Sequence, residues 1–296
     1  MTEAAAAPGA ALMHDAIRLR DTLGLTNREA RSEVELLLMR ALGITRARLI
    51  AHPELAAEAA ANDIYQGSLK RRLSGEPMAY ILAEREFYSA VFAVSPAVLI
   101  PRPETELLVD MALERLDSQQ HGSVLDLGTG SGAIAVAIAL NRPHVRVMAV
   151  DASQSALEVA ACNAGRLLDD AKQVQFARSD WFEELGGTRY HLIVSNPPYV
   201  AAGDVHLREG DVRFEPEQAL VAGQEGLDDL QRIIGEAPGY LAEGGWLLCE
   251  HGYDQAEACR RLLREAGFVD LVAERDLAGI LRVSGGRWLT AGPAAG

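Results

Sequence analysis

Apolar side chains in the first 75 residues recur every three or four positions, the spacing that places them on one face of a helix. The clearest such face contains Ala30, Val34, Leu37, Leu38 and Ala41. Asn27 can cap this helix at its start, and Gly43 can end it. A later helix is expected from Leu55 to Leu73, just before Ser74 and Gly75. Because short helices are unstable alone, residues 1–75 are predicted to form a small helical bundle.

The hydrophobic pattern changes over residues 76–105, which we interpret as a β-hairpin and linker. Tyr80–Leu82 and Phe87–Val94 are short apolar runs with aromatic and β-branched residues, as expected of two paired strands. The segment from Leu99 to Glu104 contains two prolines, which prevent a regular helix there. This segment is therefore expected to link the bundle to the rest of the chain.

Residues 106–296 form a third region, in which short apolar runs alternate with helical segments. The expected buried strands are Val124–Leu127, Val145–Val150, Val174–Phe176, Leu192–Val194 and Trp246–Cys249. Ala133–Leu140 and Ser155–Leu167 are the helical segments between the first of them. Such alternation predicts an α/β fold, a mostly parallel sheet with helices on both faces. Ligands of these sheets bind at the carboxyl ends of the strands, where the strand order reverses.

Charge is distributed unevenly between the two parts of the chain. The net charge is −14, with 11 Lys/Arg and 11 Asp/Glu in residues 1–85 but 17 and 31 in residues 86–296. An acidic domain repels phosphate backbones, whereas proteins that bind nucleic acid usually carry a basic surface. We therefore expect no direct contact with nucleic acid. The run Lys70-Arg71-Arg72 is most simply a solvated helix end.

The remaining composition favours a protein of the cytoplasm. Its three cysteines are odd in number and lack Cys-x-x-Cys spacing, which is typical of reduced thiols. No basic start precedes an apolar stretch, so we expect no signal peptide, and no apolar run approaches the ~18 residues of a membrane span. The histidines show no metal-like or triad-like spacing. We expect a monomer without a metal ion.

A glycine-rich loop directly follows the first predicted strand of the third region. Its residues are Gly128, Thr129, Gly130, Ser131 and Gly132, and a helix is expected to begin after them. Such glycines let the backbone turn sharply and approach a ligand, while the helix amino-terminus favours an anionic group. The second strand ends at Asp151, 19 residues after Gly132, where a carboxylate can accept ribose hydroxyls. The pattern predicts a nucleoside cofactor.

The tetrapeptide Asn196-Pro197-Pro198-Tyr199 follows the fourth strand. The Asn196 side-chain oxygen and the Pro197 carbonyl can accept the two N–H bonds of a planar –NH2 group. The two prolines stiffen the turn, and Tyr199 can pack on the flat face of the target. A planar nitrogen is a poor nucleophile, so positioning it addresses the barrier to its reaction. These residues leave open whether the target is a carboxamide or an aromatic amine.

The spacing of the glycines distinguishes between cofactors. Dinucleotide-binding loops have Gly-x-Gly-x-x-Gly, whereas this loop has Gly-x-Gly-x-Gly with Asp126 two residues before it. This version resembles class I S-adenosylmethionine methyltransferases, and a nicotinamide enzyme is the alternative. By the same resemblance Trp181, after the third strand, would lie beside the adenine, where its ring face suits stacking.

Several segments along the chain share their residues with one methyltransferase family. They are Arg85–Phe87, Leu99–Glu106, Asp126–Gly132, Ser179–Phe182, Ser195–Tyr199 and Asp211–Pro216. On these segments the chain resembles the HemK/PrmC family of release-factor glutamine methyltransferases, and the match runs from the helical region to Trp288. The resemblance implies a class I, Rossmann-like methyltransferase domain over residues 106–296. It also implies an N-terminal substrate-recognition domain over residues 1–75 and a hairpin linker over residues 76–105.

The same resemblance implies a reaction and roles for individual residues. The reaction is N5-methylation of the glutamine in the Gly-Gly-Gln motif of bacterial peptide chain release factors, with S-adenosylmethionine as cofactor. The residues implied to bind the cofactor are Gly128, Thr129, Gly130, Ser131, Gly132, Asp151, Trp181 and Asn196. Asn196, Pro197, Pro198 and Tyr199 would bind the glutamine, with Asn196, Pro197 and Tyr199 as the catalytic residues.

Three other functions compete with this one. Ribosomal-protein glutamine N5-methyltransferases share the tetrapeptide, but their linker resembles Pro-Arg-Ser more than the Pro-Arg-Pro-Glu-Thr-Glu of this chain. An adenine-N6 methyltransferase acting on nucleic acid predicts a basic recognition domain, which the sequence lacks. A regulatory protein that binds the cofactor without catalysis need not retain an intact Asn-Pro-Pro-Tyr.

Overall fold

The computed structural model describes residues 8–52, 63–116 and 122–289, and the chain forms two compact units. The first unit extends through Ala83 and also contains His206–Phe214. The second unit contains Glu84–Val205 and the chain from Glu215 onward. The hydrophobic pattern predicts a boundary at residue 75, and no local pattern links residues 206–214 to the first unit.

Five helices are described in the first unit: α1 (Pro8–Leu23), α2 (Asn27–Leu42), α3 (Arg46–Ala51), α4 (Asp63–Leu73) and α5 (Met78–Leu82). The predicted face of α2 is confirmed, since Ala30, Val34, Leu37 and Leu38 are buried. Gly43 ends α2 in the left-handed conformation, with φ 63°, as predicted. The N-cap is Thr26 rather than Asn27, because Thr26 and Glu29 form a reciprocal capping box.

The described helices of the first unit differ from the prediction at two places. The helix expected from Leu55 is described from Asp63 to Leu73, and residues 53–62 lie outside the described residues. The strand predicted over Tyr80–Leu82 is wrong, because these residues belong to α5. Tyr80 and Ile81 donate their backbone N–H groups to the Pro77 carbonyl and bury their side chains. Burial in a helical environment has overridden their local preference for a strand.

Arg72, in α4, is buried. The prediction that Lys70-Arg71-Arg72 is a solvated helix end is therefore wrong for Arg72. Its side chain is 6% exposed. The guanidinium donates to both oxygens of Glu33, at 2.8 and 2.9 Å, and to Asp211 Oδ1 at 3.0 Å. It also donates to the Glu76 carbonyl. This one side chain therefore connects α2, α4 and the segment 206–214.

The second unit begins with a short hairpin. Its strands are β1 (Glu84–Phe87) and β2 (Ala90–Ala93), joined by Tyr88 and Ser89, both with positive φ. A hairpin lies within residues 76–105, but its strands are not the two that the pattern predicts, since Tyr80–Leu82 is helical and the turn falls inside the run Phe87–Val94. A 3-10 turn at Pro103–Thr105 then precedes α6 (Glu106–Arg115), so no regular helix runs through the prolines, as predicted.

A seven-stranded sheet with helices on both faces forms the rest of this unit. Its strands are β3 (Ser123–Leu127), β4 (Arg146–Asp151), β5 (Val174–Arg178), β6 (Tyr190–Ser195), β7 (Leu241–Glu250), β8 (Val269–Arg275) and β9 (Leu281–Arg287). The helices between them are α7 (Ala133–Asn141), α8 (Gln154–Leu167), α9 (Asp228–Glu236) and α10 (Ala256–Glu265). The five predicted strands are all present, and the predicted α/β class is confirmed.

The strand order β5-β4-β3-β6-β7-β9-β8 explains where a ligand site can form. Strands β3 to β7 are parallel to one another, and β9 runs antiparallel to both of its neighbours, β7 and β8. From β3 the chain moves outward through β4 and β5, then returns to place β6 on the other side of β3. The order therefore reverses between β3 and β6, where crevices open in such sheets.

Two apolar layers hold the helices against the sheet. One layer joins α6, α7 and α8 to side chains such as Val124, Val147 and Val194. The other joins α9 and α10 to the intervening positions, such as Leu125, Ile193 and Leu247. Side chains that alternate along each strand thus bury both faces. None of the described helices is long and apolar enough to cross a membrane.

The Arg72 network predicts an unequal cost for two neighbouring substitutions. Arg72→Ala leaves the partly buried Glu33 carboxylate, whose side chain is 16% exposed, without its partner, and we expect a loss of up to about 3 kcal/mol of unfolding free energy. Arg71→Ala removes a pair with Glu76 in which the Arg71 side chain is 47% exposed, so we expect less than about 1 kcal/mol. Urea unfolding followed by circular dichroism measures both. Equal losses in the two variants would contradict this account of the bundle.

Candidate active site

A pocket of about 270 Å³ lies at the carboxyl ends of β3, β4 and β6. The candidate residues that line it are Gly128, Thr129, Gly130, Ser131, Asp151, Trp181, Asn196 and Pro198. The other three candidates support the pocket: Gly132 packs against Ala160, Pro197 is buried, and Tyr199 is partly buried beside it. The structure thus brings together most of the residues that the sequence singled out.

The glycine loop turns back over the end of β4. The backbone N–H groups of Gly128 and Thr129 both donate to the Val150 carbonyl, each at 2.9 Å. Gly132 caps α7 with a positive φ of 79°, and a Cβ there would lie 3.0 Å from Ala160 Cβ. Glycine is therefore required at this position by both conformation and space.

Asp126 stabilises the same loop through a hydrogen bond. It is fully buried, and its Oδ2 accepts a hydrogen bond of 2.6 Å from the Thr129 hydroxyl. Burial raises the pKa of Asp126 to about 7, although the Thr129 bond opposes the shift. This carboxyl group therefore stabilises the loop and is not exposed to solvent in the pocket.

Asp151 holds the loop from the side of β4. Its two oxygens accept backbone N–H bonds from Gly130 and Ser153, each at 2.9 Å. Burial raises the pKa of Asp151, and these two bonds oppose the shift. Each carboxylate oxygen has a further lone pair, so Asp151 can accept two hydroxyl groups while it keeps both backbone bonds.

Trp181 forms an aromatic wall next to the first glycine. Its φ of 51° is unusual for a residue with a Cβ, and its indole Nε1 donates to Asp229 Oδ1 at 3.2 Å. A Cβ on Gly128 would lie 3.2 Å from the Trp181 ring. The hydrogen bond and the strained backbone fix the ring plane against the loop. Burial raises the pKa of Asp229, while its bond from Trp181 opposes the shift.

The tetrapeptide leaves β6 directly into the pocket. Ser195, the last strand residue, donates through its hydroxyl to the Leu127 carbonyl at 2.9 Å. Asn196 Nδ2 donates to the hydroxyl oxygen of Thr105 at 3.1 Å. The Tyr199 carbonyl accepts a bond of 3.0 Å from Gln255 Nε2. Both ends of the tetrapeptide are therefore held by polar bonds to other segments.

Two buried polar residues near the tetrapeptide belong to no catalytic motif that the sequence reveals. Thr105 is 4% exposed and Glu250, the last residue of β7, is 1% exposed. The Glu250 carboxyl group lies close to the hydroxyls of Thr105 and Tyr199, and its Oε2 is buried without a hydrogen-bond partner among the described residues. Burial raises the pKa of Glu250 to about 7 and, together with the Glu250 charge, raises the pKa of Tyr199. Their positions in the sequence could have indicated them, since Glu250 ends a buried strand and Thr105 follows the two prolines.

The pocket fits S-adenosylmethionine in three respects. The glycine loop leaves open space beside Gly130, since no atom lies within 4 Å of a Cβ built on that residue. Asp151 provides a carboxylate for hydroxyl groups, and Trp181 provides a flat apolar face. Within the described residues, no group of three His, Cys, Asp or Glu side chains is arranged to hold a metal ion.

Two protein families match the two parts of the chain. Residues 19–82 match the PrmC N-terminal domain family, and residues 104–212 match the Methyltransferase small domain family. A methyltransferase structure from Pyrococcus furiosus, with 16% identity, covers 75% of this chain and 98% of its own, at a TM-score of 0.51. At that identity the likeness concerns the fold alone.

Curated relatives extend the match to nearly full length. The release factor glutamine methyltransferase of Burkholderia pseudomallei is 49% identical over 259 residues, which is 86% of this chain and 91% of that protein. The enzyme of the same name from Bordetella pertussis is 51% identical over 257 residues, or 86% and 94%. With this identity over most of both lengths, the chain belongs to the release factor glutamine methyltransferase family.

Proposed function

We propose that the pocket at the ends of β3, β4 and β6 methylates the N5 amide nitrogen of the Gly-Gly-Gln glutamine in bacterial peptide chain release factors. Membership of the family makes the chain an S-adenosylmethionine-dependent protein-glutamine methyltransferase. The observation that carries the assignment to this pocket is that Asn196 and Asp151 line the same cavity. A group that orients a planar amide and a group that binds a nucleoside therefore face each other.

Asn196 and Pro197 would hold the target amide. S-adenosylmethionine supplies an electrophilic methyl group on its sulfonium centre. The Asn196 side-chain oxygen and the Pro197 carbonyl accept the two N–H bonds of the glutamine, and Tyr199 packs beside the amide plane. Asn196 and Pro197 would present the glutamine nitrogen to that methyl group, and the amide proton that the nitrogen loses would pass to water. The contribution of the chain is therefore positioning and electrostatics.

We propose that the enzyme acts in the cytoplasm, as a monomer, on a protein. A protein substrate accounts for the charge of the chain better than nucleic acid does. Residues 86–296 carry 17 Lys/Arg against 31 Asp/Glu, which opposes a phosphate backbone. Labelled S-adenosylmethionine offered with release factor, ribosomal protein and an oligonucleotide side by side tests the choice of substrate. We expect label in the release factor, and preferential labelling of either other substrate would overturn the proposal.

We propose further that the first unit recognises the folded release factor. A single glutamine amide offers too little surface to be selected, so remote contacts must supply the binding energy. Helix α1 exposes Met13 and Ile17, at 58% and 41%, one turn apart on the same side. Exposed apolar side chains of this kind are suited to a protein partner.

Asp151→Ala should weaken cofactor binding. It removes charge-assisted hydrogen bonds worth roughly 1.5–3 kcal/mol each, and it releases the Gly130 and Ser153 N–H groups that now bond to Asp151. Calorimetry with S-adenosylmethionine should therefore show an affinity at least about tenfold lower. Glu158→Ala, which removes an exposed carboxylate from the nearby α8, is the control and should leave affinity unchanged. Parental affinity in folded Asp151→Ala would place the cofactor elsewhere.

Asn196→Ala should reduce methyl transfer much more than cofactor binding. Loss of one group that positions or stabilises the reacting atoms typically lowers the rate about 100-fold or more. Initial rates on intact release factor, at saturating S-adenosylmethionine, measure the effect. Asn141→Ala, an exposed asparagine at the end of α7, is the matched control. Turnover of Asn196→Ala within a few-fold of the parent would show that the assigned mechanism is wrong.

Substitution of the exposed α1 residues tests the role of the first unit. The double variant Met13→Gln with Ile17→Gln should raise KM for intact release factor about tenfold, since it removes apolar contact area worth about 1.4 kcal/mol or more. Its S-adenosylmethionine affinity and its weak activity on a Gly-Gly-Gln peptide should stay parental. Leu140→Gln, an exposed leucine of the second unit, is the control. Parental kinetics of the double variant on intact release factor would exclude this surface.

A further inference from the structure

The two most exposed large hydrophobic residues among those described lie on the side of the sheet that carries the pocket. They are Tyr253, at 72%, and Leu277, which is fully exposed. Tyr253 follows the carboxyl end of β7, and Leu277 lies in the turn between β8 and β9. Because β9 is antiparallel to β7, this turn lies beyond the same carboxyl ends. Both side chains are therefore at the edge of the sheet where the site forms.

The opposite edge of the sheet exposes less apolar surface. Leu140, Val269 and Leu289, which are 39–42% exposed, lie there because α7 ends, β8 begins and β9 ends at the amino-terminal edge of the parallel strands. Single exposed apolar side chains are common on proteins. The most exposed ones, gathered at the edge of a substrate site, instead indicate contact with another molecule.

The turn that carries Tyr253 is bonded to the tetrapeptide. Gln255 Oε1 accepts the backbone N–H of Gly252 at 2.8 Å, and Gln255 Nε2 donates to the Tyr199 carbonyl at 3.0 Å. One side chain thus closes the turn and fixes it to the last residue of Asn-Pro-Pro-Tyr. Tyr253 is therefore held next to the site.

The turn that carries Leu277 is ordered but unusually apolar. Asp276 Oδ1 accepts the backbone N–H groups of Ala278 and Ile280, each at 2.9 Å. Residues 277–281 nevertheless contain no polar side chain, whereas turns are normally rich in Gly, Pro, Asn, Asp and Ser. An exposed apolar run on an ordered turn is unfavourable in water unless it has a function.

Arg282 connects this second turn to the tetrapeptide. Its Nε donates to Asp276 Oδ2 at 3.0 Å, and both side chains are largely buried. Burial and the Glu250 charge raise the pKa of Tyr199, and the Arg282 charge is close enough to oppose the shift. The two turns therefore both adjoin Tyr199.

We propose that Tyr253 and Leu277 form an apolar rim that docks the folded release factor while its glutamine occupies the pocket. This proposal rests on the proposed function. A protein whose glutamine is bound must cover the surface around the pocket, since a standard interface takes about 800 Å² of each partner. The rim adjoins the tetrapeptide and so lies within that area. Aromatic side chains are enriched in such interfaces, and side chains on ordered turns lose little entropy on binding.

The double variant Tyr253→Ser with Leu277→Ser tests the rim. We expect KM for intact release factor to rise at least about tenfold, which corresponds to about 1.4 kcal/mol of binding free energy, with kcat parental. Kinetics on a Gly-Gly-Gln peptide and S-adenosylmethionine affinity should stay parental, because neither ligand reaches the rim. The Tm should be unchanged, since both side chains are exposed.

Two matched variants separate apolar contact from indirect effects. Leu140→Ser with Val269→Ser removes exposed apolar side chains from the opposite edge and should leave KM parental. Tyr253→Phe with Leu277→Met keeps the apolar area of the rim and should keep KM within a few-fold of the parent. An equal rise in KM for the serine variants of both edges would overturn the proposal.

The remaining outcomes distinguish the rim from the proposed function. Parental KM of the rim's serine variant, on a release factor that the parent methylates, overturns the rim alone. A parent that methylates neither intact release factor nor the peptide refutes the proposed function, and the rim falls with it. Sedimentation of both proteins tests the other occupant, a second copy of this chain. A parental dimer that the serine variant dissociates would assign the rim to self-association and overturn the proposal.

Discussion

The register between β3 and β6 is the constraint on which the rest of the site depends. Leu127 and Ser195 are partners at the ends of these parallel strands, and the Ser195 hydroxyl donates to the Leu127 carbonyl at 2.9 Å. The glycine loop begins one residue after Leu127, and the tetrapeptide begins one residue after Ser195. A shift of one residue would turn the strand side chains to the opposite faces and separate the two loops. The two loops are therefore adjacent because the buried strands are in this register.

Local patterns made much of this arrangement predictable from the sequence. The five parallel strands, the glycine loop and the tetrapeptide each depend on consecutive residues, so their chemistry can be identified without the fold. The rule that ligands bind at the carboxyl ends of strands then placed them together. The same rule also applies to Glu250, at the end of β7, but an isolated acidic residue there carries no distinctive motif.

Pairings between distant residues could not be predicted in this way. Thr105 and Asn196 are 91 positions apart, and Arg72 and Asp211 are 139 positions apart. Nothing in the local sequence of either partner indicates the other. The error at Tyr80–Leu82 has a related cause, because burial among the helices of the first unit decides the conformation there. Thr26 was missed as a cap because Asn27 is an equally good capping residue, and the reciprocal bond from Glu29 decides between them.

Two buried carboxyl groups of the second unit lower its stability near neutral pH but contribute to the geometry of the site. Burial raises the pKa of Asp126 and Glu250 to about 7, so both groups are more basic in the folded chain than in the unfolded chain. Between the ordinary carboxyl pKa of about 4 and the raised value, the folded state therefore binds more protons than the unfolded state, so stability present at low pH is lost as the pH rises through this window. Near neutral pH the fold is accordingly less stable than it would be with neutral side chains at these positions. In return, Asp126 bonds to the glycine loop through Thr129, and Glu250 lies beside the hydroxyls of Thr105 and Tyr199 next to the tetrapeptide. The Asp126 carboxyl group is an acceptor that the Thr129 hydroxyl faces, and it fixes the direction of a hydrogen bond that apolar packing leaves undetermined.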